Sequence, residues 1–405
     1  MESILFIETT KSGSSREAIK AAARLGYFTV LLTERKSFVK QRNEFVDVSR
    51  MIQLDELTEE LIRTEISQLL MQGNIIKAII SLVDPFVSMA AQFANEYCGT
   101  VLSVEALRIM EDKTATRIAL KENTTTPQFE IVEPSDDLEH VIHKEYNFPI
   151  IVKSAISKAS KDVYSVENKF ELEQTIRKMT KLYPSQKIVL DEYLDGPQYL
   201  VEVLVHNGSS HIVAMIKQEI TKNIKFIVTG YAVELDLDSE LYKKLVHAVE
   251  SIIKDLRITN AACHLECRYV NGNWKLIEMN PRISGGAMNR MIEEAFGISL
   301  VEETIKLYLG FKPNLTKKIE KPIYTHYIII ESYGTLLQVI GESKAAAHPG
   351  VKEVYIKPRK GAIMMPPLSM GHRYGYVIAS GDTSEEAKAN AVNAASSIKF
   401  YLEPL

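Results

Sequence analysis

Glu266 and Glu278 are the side chains with the most to offer chemically. They lie in His264-Leu265-Glu266-Cys267-Arg268-Tyr269-Val270 and Trp274-Lys275-Leu276-Ile277-Glu278-Met279-Asn280, two alternating runs joined by Asn271-Gly272-Asn273. Period-two runs on both sides of an Asn/Gly loop predict a β-hairpin. With Val270 opposite Trp274, Glu266 faces Glu278 and His264 faces Asn280, all on one side of the ribbon. Facing Cβ atoms lie about 4.5–5.5 Å apart, so two ionised carboxylates there repel unless a cation sits between them. Two carboxylates and an amide carbonyl are hard donors that suit Mg²⁺, which completes its shell with nucleotide phosphate and water. The alternative is a surface hairpin whose acidic residues are merely solvated. Asn280-Pro281-Arg282-Ile283-Ser284-Gly285-Gly286 weighs toward the site. An arginine fork beside a metal can hold a phosphoryl group or a tetrahedral oxyanion, and glycines permit close backbone approach to a ligand. His264 is expected to be a satisfied interior histidine outside the metal shell.

These residues resemble a known family. Glu-x11-Glu-x-Asn-Pro-Arg is similar to the metal-binding end of the ATP-grasp superfamily, and the other elements of that pattern stand upstream in order. Lys113, in Glu111-Asp112-Lys113, resembles the first nucleotide lysine at the domain junction. Lys153, closing Phe148-Pro149-Ile150-Ile151-Val152-Lys153, resembles the second, which in the family touches the α- and β-phosphates. Asp191-Glu192-Tyr193-Leu194-Asp195-Gly196-Pro197-Gln198 is similar to the hinge that holds adenine. The resemblance implies an ATP site of Lys113, Lys153, Ser160, Asp191, Glu192, Tyr193, Leu194 and Gln198. It implies a metal set of Glu266, Glu278 and Asn280 for two Mg²⁺ ions, with Mn²⁺ as the acceptable substitute, and Arg282 as the catalytic residue. Taken singly, Lys113 and Lys153 read as solvated surface lysines. Two departures stand out. The stretch Ser154–Val163 has no glycine and offers Ser157, Lys158, Ser160 and Lys161, so side chains replace part of the main-chain phosphate cradle. Gln198 stands where many members carry a ribose-binding Glu, and its amide oxygen still accepts from a hydroxyl.

Members of this superfamily mostly activate a carboxylate as an acyl phosphate, which an amine then displaces. Ile7-Glu8-Thr9-Thr10-Lys11-Ser12-Gly13, Ser81-Leu82-Val83-Asp84-Pro85-Phe86, the Asn-Pro-Arg run and the C-terminal portion resemble the bacterial L-amino-acid ligases of the bacilysin-synthetase type. The implied reaction joins two L-amino acids into a dipeptide through an aminoacyl phosphate, releasing ADP and phosphate. The implied partners are small-molecule amino acids, not nucleic acid or membrane, and a homodimer is compatible with the resemblance. Asp84 is a candidate for the substrate ammonium, Pro85 for the side-chain pocket, and Gly285 and Gly286 for substrate contact. Equally, Asp84 reads as a helix N-cap with Pro85 at the first helical position. Residues 217–230, lysine-bearing and bounded by Gly230, read as a lid loop that excludes water. The rivals are a biotin-carboxylase-like carboxylase, a ligase for a different carboxylate and amine pair, a non-catalytic nucleotide module, and a dinucleotide oxidoreductase. The last lacks G-x-G-x-x-G in Lys11-Ser12-Gly13-Ser14-Ser15.

The elements that must position these residues follow from periodicity. Residues 3–8 read as a strand, 15–25 as a helix and 29–32 as a strand. A helix over 56–71, a strand over 78–83 and a helix over 86–97 extend this into an open parallel sheet. A helix over 113–121 ends before Thr124-Thr125-Thr126-Pro127, which reads as a hinge. Strands are then expected near 149–153, 164–166, 188–193, 199–205, 212–216 and 226–228, with helices near 170–182, 239–256 and 299–309. After Pro313 come strands near 324–331, 353–357 and 374–380 and a helix over 384–399 opened by the capping box of Thr383 and Glu386. The fold class is α/β and α+β. The resemblance makes it an ATP-grasp fold with an N-terminal Rossmann-like domain over 1–112, an ATP-grasp domain over 113–312 and a small C-terminal α+β domain over 313–405. Composition is that of an ordinary globular protein and sets aside disordered, collagen-like and coiled-coil readings: 405 residues, 46% hydrophobic, 25% charged. A net charge of −4 supplies no basic field for nucleic acid or acidic membranes. Cys98, Cys263 and Cys267 are too few for a disulfide framework and read as reduced thiols of a cytoplasmic protein. No apolar run approaches the roughly 20 residues that span a bilayer.

Overall fold

The structure, a computed structural model, describes residues 1–155, 162–222 and 226–404. The apolar run Glu2–Ile7 lies between Phe28–Thr33 and Ile75–Ile80, with Arg50–Gln53 outermost, in a four-stranded parallel sheet. Arg50–Gln53 escaped periodicity because it is a four-residue edge strand without full burial. The strand expected over 78–83 starts and ends three residues earlier, which leaves Ser81–Asp84 as a loop at the carboxyl end of the sheet. Helix Val87–Cys98 follows, and its first-turn amides of Val87 and Ser88 donate to Glu111 at 3.0 and 3.1 Å. Asp84 is therefore not the cap of this helix. Its starting groups are satisfied from a distant carboxylate instead.

Phe129–Val132, Ile188–Glu192, Ile150–Ser154 and Val163–Val166 form a second, antiparallel sheet in that order. Helices Leu138–His143 and Lys169–Leu182 cover it with their own core, including Val141, Ile142, Leu172 and Ile176. This lobe is joined to the rest through Thr124-Thr125-Thr126-Pro127, which is a packed joint rather than a free hinge. Thr125 carbonyl accepts from Leu276 N at 2.8 Å, and Lys275 Nζ donates to the carbonyls of Thr124 and Thr126.

The largest element is an eight-stranded antiparallel sheet. Its order is Asn273–Asn280, Ala261–Val270, Gln198–His206, Ser209–Lys222, Phe226–Val233, Ile323–Ile328, Gly375–Ser380 and Val351–Ile356. Two findings follow. Residues 217–230, expected as a loop, are mostly paired strand, with Lys217 opposite Ala232 and Thr221 opposite Ile227; residues 223–225 lie outside the described part. Strands from beyond residue 313 also continue the same sheet. One core cluster runs from Ile4 through Leu265 to Ile378. Helix Ser384–Ser396 packs Ala387, Ala391 and Ala394 beneath the C-terminal strands. Thr383 caps it as expected, accepting from Glu386 N at 3.1 Å, while Glu386 reaches back to Asp382 N at 2.7 Å. Among the described residues no helix is long and apolar enough to cross a membrane.

Candidate active site

The hairpin that carries the acidic pair is tighter than its spacing suggests. Asn271 and Gly272 both have positive φ, 49° and 80°, the signature of a two-residue turn whose twist matches the strands. Val270 therefore faces Asn273, not Trp274, and Asn273 belongs to the strand, not the loop. A bulge then restores the offset: Cys267 faces Leu276, Glu266 faces Glu278, and His264 faces Asn280. Ile277 is the extra residue of the bulge, and a bulge frees main-chain groups from the ladder. Its carbonyl accepts from Arg117 Nη2 at 2.7 Å and from Lys153 Nζ at 3.4 Å. The irregularity that sequence spacing could not show thus presents a carbonyl to two cations, Arg117 of the helix Lys113–Ala119 and Lys153 of the facing lobe.

Those cations form a buried cluster. Asp191 takes both forks of Arg117, at 3.1 and 3.0 Å, and the Lys153 ammonium at 2.5 Å. Burial opposes ionisation of Asp191, yet Lys153 and Arg117 hold its carboxyl down to about 2. Burial pushes the Lys153 ammonium below the usual lysine range against the pull of Asp191. Two cations around one carboxylate leave one positive charge in excess, at the wall of a cleft lined by Lys113, Lys153, Asp191, Glu192, Tyr193, Leu194, Gln198, Glu266 and Glu278. Charge of that sign draws polyphosphate. Arg117 was not anticipated, although it stands four residues after Lys113 and hence on the same helical face.

Lys113 opens the helix Lys113–Ala119, capped by Asp112, which accepts from Thr114 N at 2.7 Å. A cation at a helix N-terminus meets the positive end of the macrodipole; Glu278 Oε1 offsets this at 3.6 Å. Leu194 is buried, and its carbonyl accepts from Arg268 Nη1 at 2.5 Å. Gln198 joins the two walls: its amide oxygen accepts from Arg268 Nε at 3.1 Å and its amide nitrogen reaches Glu266 at 3.4 Å. Gly196 is required here, because a Cβ would fall 2.2 Å from the Tyr269 carbonyl oxygen. Ser160 lies outside the described residues.

Glu266 is pushed above the usual carboxylate range by burial and by Glu278 beside it. That is the energetic form of the repulsion expected from the facing pair, and a divalent ion would relieve it. Among the described residues no group of three or more His, Cys, Asp or Glu side chains is arranged so that it could hold a metal ion by itself. Two carboxylates and the Asn280 amide fit a hard ion that keeps phosphate and water ligands, and a soft metal would find too few donors. His264 is the satisfied interior histidine expected, buried and with a partner of its own. Its Nδ1 lies 2.8 Å from the Arg282 carbonyl oxygen, and burial and Arg282 push the imidazole down to about 4, so that nitrogen carries the proton.

Beyond Asn280 the chain turns to a second group. Arg282 holds Asp84 Oδ2 with Nε at 3.1 Å and Nη2 at 2.7 Å, so two candidates with separate expected roles are each other's partners. Pro85 beside them is exposed. The loop is anchored by Glu202, which the sequence reading did not single out although it is the lone carboxylate in the apolar strand Gln198–His206. It is fully buried and accepts from Ser284 N at 3.1 and 3.3 Å, and burial pushes it up to about 7. Ser14 Oγ donates to the Ser284 carbonyl at 2.7 Å, tying the start of the helix Ser14–Arg24 to this loop. Gly286, with φ 69°, borders a different cavity, together with Lys11, Ser12, Gly13 and Asn289. Gly285 is solvent-exposed nearby, 3.9 Å from Ser14 Oγ at its would-be Cβ.

Comparison with known proteins accords with this geometry. A model of the ATP-grasp domain matches residues 146–290, and one of the L-amino acid ligase C-terminal domain 2 matches residues 326–403. The chain is 22% identical to an uncharacterized Sinorhizobium fredii protein, y4rH, over 100% of this chain and 84% of that protein. It is 26% identical to the L-arginine-specific L-amino acid ligase of Bacillus subtilis over 55% of this chain and 56% of the relative. The crystal structure of an L-amino acid ligase from Bacillus licheniformis superposes with a TM-score of 0.83, at 21% identity, over 100% of this chain and 99% of that one. Together with the cleft, the cation cluster and the facing carboxylates, these matches give the chain an ATP-grasp domain over residues 146–290 followed by the C-terminal domain 2 of the L-amino acid ligases over residues 326–403.

Proposed function

We propose that the chain is an ATP-dependent carboxylate–amine ligase that joins two L-amino acids through an aminoacyl phosphate. The observation that carries this reading is the facing of Glu266 and Glu278 across from the net-positive cluster of Lys153, Arg117 and Asp191. Glu266, Glu278 and Asn280 would hold Mg²⁺, which offsets charge on the transferring phosphoryl group. Lys113 and Lys153 hold the phosphate chain from the opposite wall, and the apolar pocket around Leu194 takes the base. A carboxylate oxygen of the first amino acid bonds to the γ-phosphorus as the bond to the β-phosphate oxygen breaks and ADP leaves. The amine of the second amino acid then attacks the acyl carbon, the C–O bond to phosphate breaks, and the amine loses a proton. Arg282 steadies the anionic adduct with the guanidinium edge that Asp84 leaves available. Asp84, held beside it by Arg282, would meet the substrate ammonium. No protein nucleophile is needed, and burial pushes Cys263 and Cys267 far above the range in which a thiolate forms.

The C-terminal match supports amino-acid ligation over the carboxylase alternative. The test is phosphate release from ATP and Mg²⁺ over all pairs of the common amino acids, with product masses. ADP and phosphate that appear only with amino acids, together with a dipeptide mass, are expected. AMP with pyrophosphate, or turnover that requires bicarbonate and biotin, would overturn the proposal.

A further inference from the structure

Arg373 is a cation of the C-terminal segment that stands directly behind two residues lining the cleft, Met370 and Val228. It lies just before the strand Gly375–Ser380 and is half-buried. Its guanidinium sits 3.9 Å above the Tyr327 ring and 5.9 Å from that of Tyr231, two buried aromatics in edge contact. Its hydrogen bonds are long and go to neutral acceptors: Met370 carbonyl at 3.3 Å, Val228 carbonyl at 3.4 Å and Tyr231 Oη at 3.4 Å. Met370 and Val228 line the nucleotide cleft, so the guanidinium is fastened to the cleft wall by both. Glu266 feels it electrostatically. Among the described residues Arg373 has no carboxylate within ion-pair distance. An arginine partly removed from water with no carboxylate in ion-pair contact is costly, and it is held here by aromatic faces that keep its planar fork fixed. Tyr327 also ties it to the loop after Arg282, because its hydroxyl lies 3.4 Å from Ala287 N.

Resting on the ligase reading, we propose that Arg373 is a further catalytic residue, whose missing counter-ion is the phosphoryl group in transfer between ATP and the substrate carboxylate. The aromatic seat aims the fork before the ligand arrives, so the contact costs little ordering when the phosphoryl group becomes most anionic. The C-terminal segment is then a working part of the phosphoryl-transfer site, opposite Lys153.

The test measures MgADP binding to the full chain by calorimetry, with and without aluminium fluoride as the phosphoryl mimic, alongside steady-state turnover. Wild type should bind MgADP more tightly when fluoride is present. Arg373→Met, close in length and still able to pack on Tyr327, should bind MgADP as wild type does but lose that increment by about tenfold or more. Its kcat should fall by about 10², and added guanidinium should restore part of it in Arg373→Ala. An unchanged fluoride increment in Arg373→Met, or a loss of MgADP affinity equal to the loss of the increment, would overturn the role. Wild type that binds no MgADP at all would overturn the ligase reading itself, and the Arg373 proposal with it.

Discussion

Glu278 and Asp191 are both carboxylates at one cleft, and their surroundings assign them opposite work. Asp191 is saturated by Arg117 and Lys153, so it serves as the counter-ion that keeps two cations in place. Glu278 has, among the described residues, one ion pair, with Lys113 at 3.6 Å, and on the proposed ligase reading it is the carboxylate left to meet a metal. Glu278→Gln should therefore abolish magnesium-dependent phosphate release while the thermal midpoint stays within a few degrees of wild type; turnover at the wild-type rate would refute the metal role. Asp191→Asn should instead destabilise the chain by about 3 kcal/mol, because two buried cations lose their partner. Since the folded carboxyl titrates at about 2, below the unfolded value of about 3.9, its contribution is complete above pH 4. It is lost as pH falls from about 4 toward 2. Denaturant melts across that window should show the wild type losing stability that the Asn variant no longer has, and parallel curves would contradict the linkage. Arg282→Ala should lower kcat by about 10² or more, read from initial rates at saturating ATP; an effect confined to KM would contradict action on the adduct. The pairing of Arg282 with Asp84 was not legible in the sequence, because 198 positions separate them and no local pattern reports a contact of that range. Glu202 and Arg117 did leave local signals: one carboxylate in an apolar strand, and one arginine a helical turn after a lysine.

At the scale of elements, period and turn chemistry carried most of what could be read. The parallel sheet, the acidic hairpin and the terminal helix with its Thr383 cap were all visible, since each rests on contacts within a few residues or on one repeating face. What failed was also specific. The hairpin loop was read one residue too long because a bulge at Ile277 inserts a residue that alternation alone cannot reveal. Residues 217–230 read as a lid because lysines and a glycine break the apolar alternation, yet that glycine serves packing: a Cβ on Gly230 would sit 1.9 Å from the Tyr324 hydroxyl. The segment 191–198, expected to hold adenine, offers a sharper test of element placement. Gly196 lets the hinge lie against the strand Ala261–Val270, where its would-be Cβ meets the Tyr269 carbonyl at 2.2 Å. That atom is main chain and cannot swing aside. Gly196→Ala should destabilise the fold by about 1–3 kcal/mol and weaken MgADP binding, since relieving the clash moves Leu194 and Gln198 away from the cleft. Calorimetry on the variant with unchanged nucleotide affinity would show that the hinge does not shape the site.

Over the whole molecule, the sheet decides which parts can act alone. Residues 129–192 have their own core and stand as a lobe, whereas the strands on either side of residue 313 share one sheet and one core cluster. The C-terminal segment therefore does two things at once. It covers the edge of Phe226–Val233 through the pairing of Gly230 with His326, Tyr231 with Thr325 and Ala232 with Tyr324, and it brings Met370 into the cleft lining and Arg373 against the Val228 carbonyl behind it. A strand edge left bare beside apolar surface is a template for aggregation. Ending the chain at residue 312 would bare Phe226–Val233 along that side and uncover Tyr231, now 7% exposed. We expect the truncated chain to be aggregated or to melt well below the full chain, and to bind no MgADP in its residual soluble fraction. A soluble, cooperatively melting 1–312 fragment that keeps nucleotide affinity would mean that the grasp is complete without the last segment. In that case the continuity of the sheet across residue 313 would be geometry without energetic consequence.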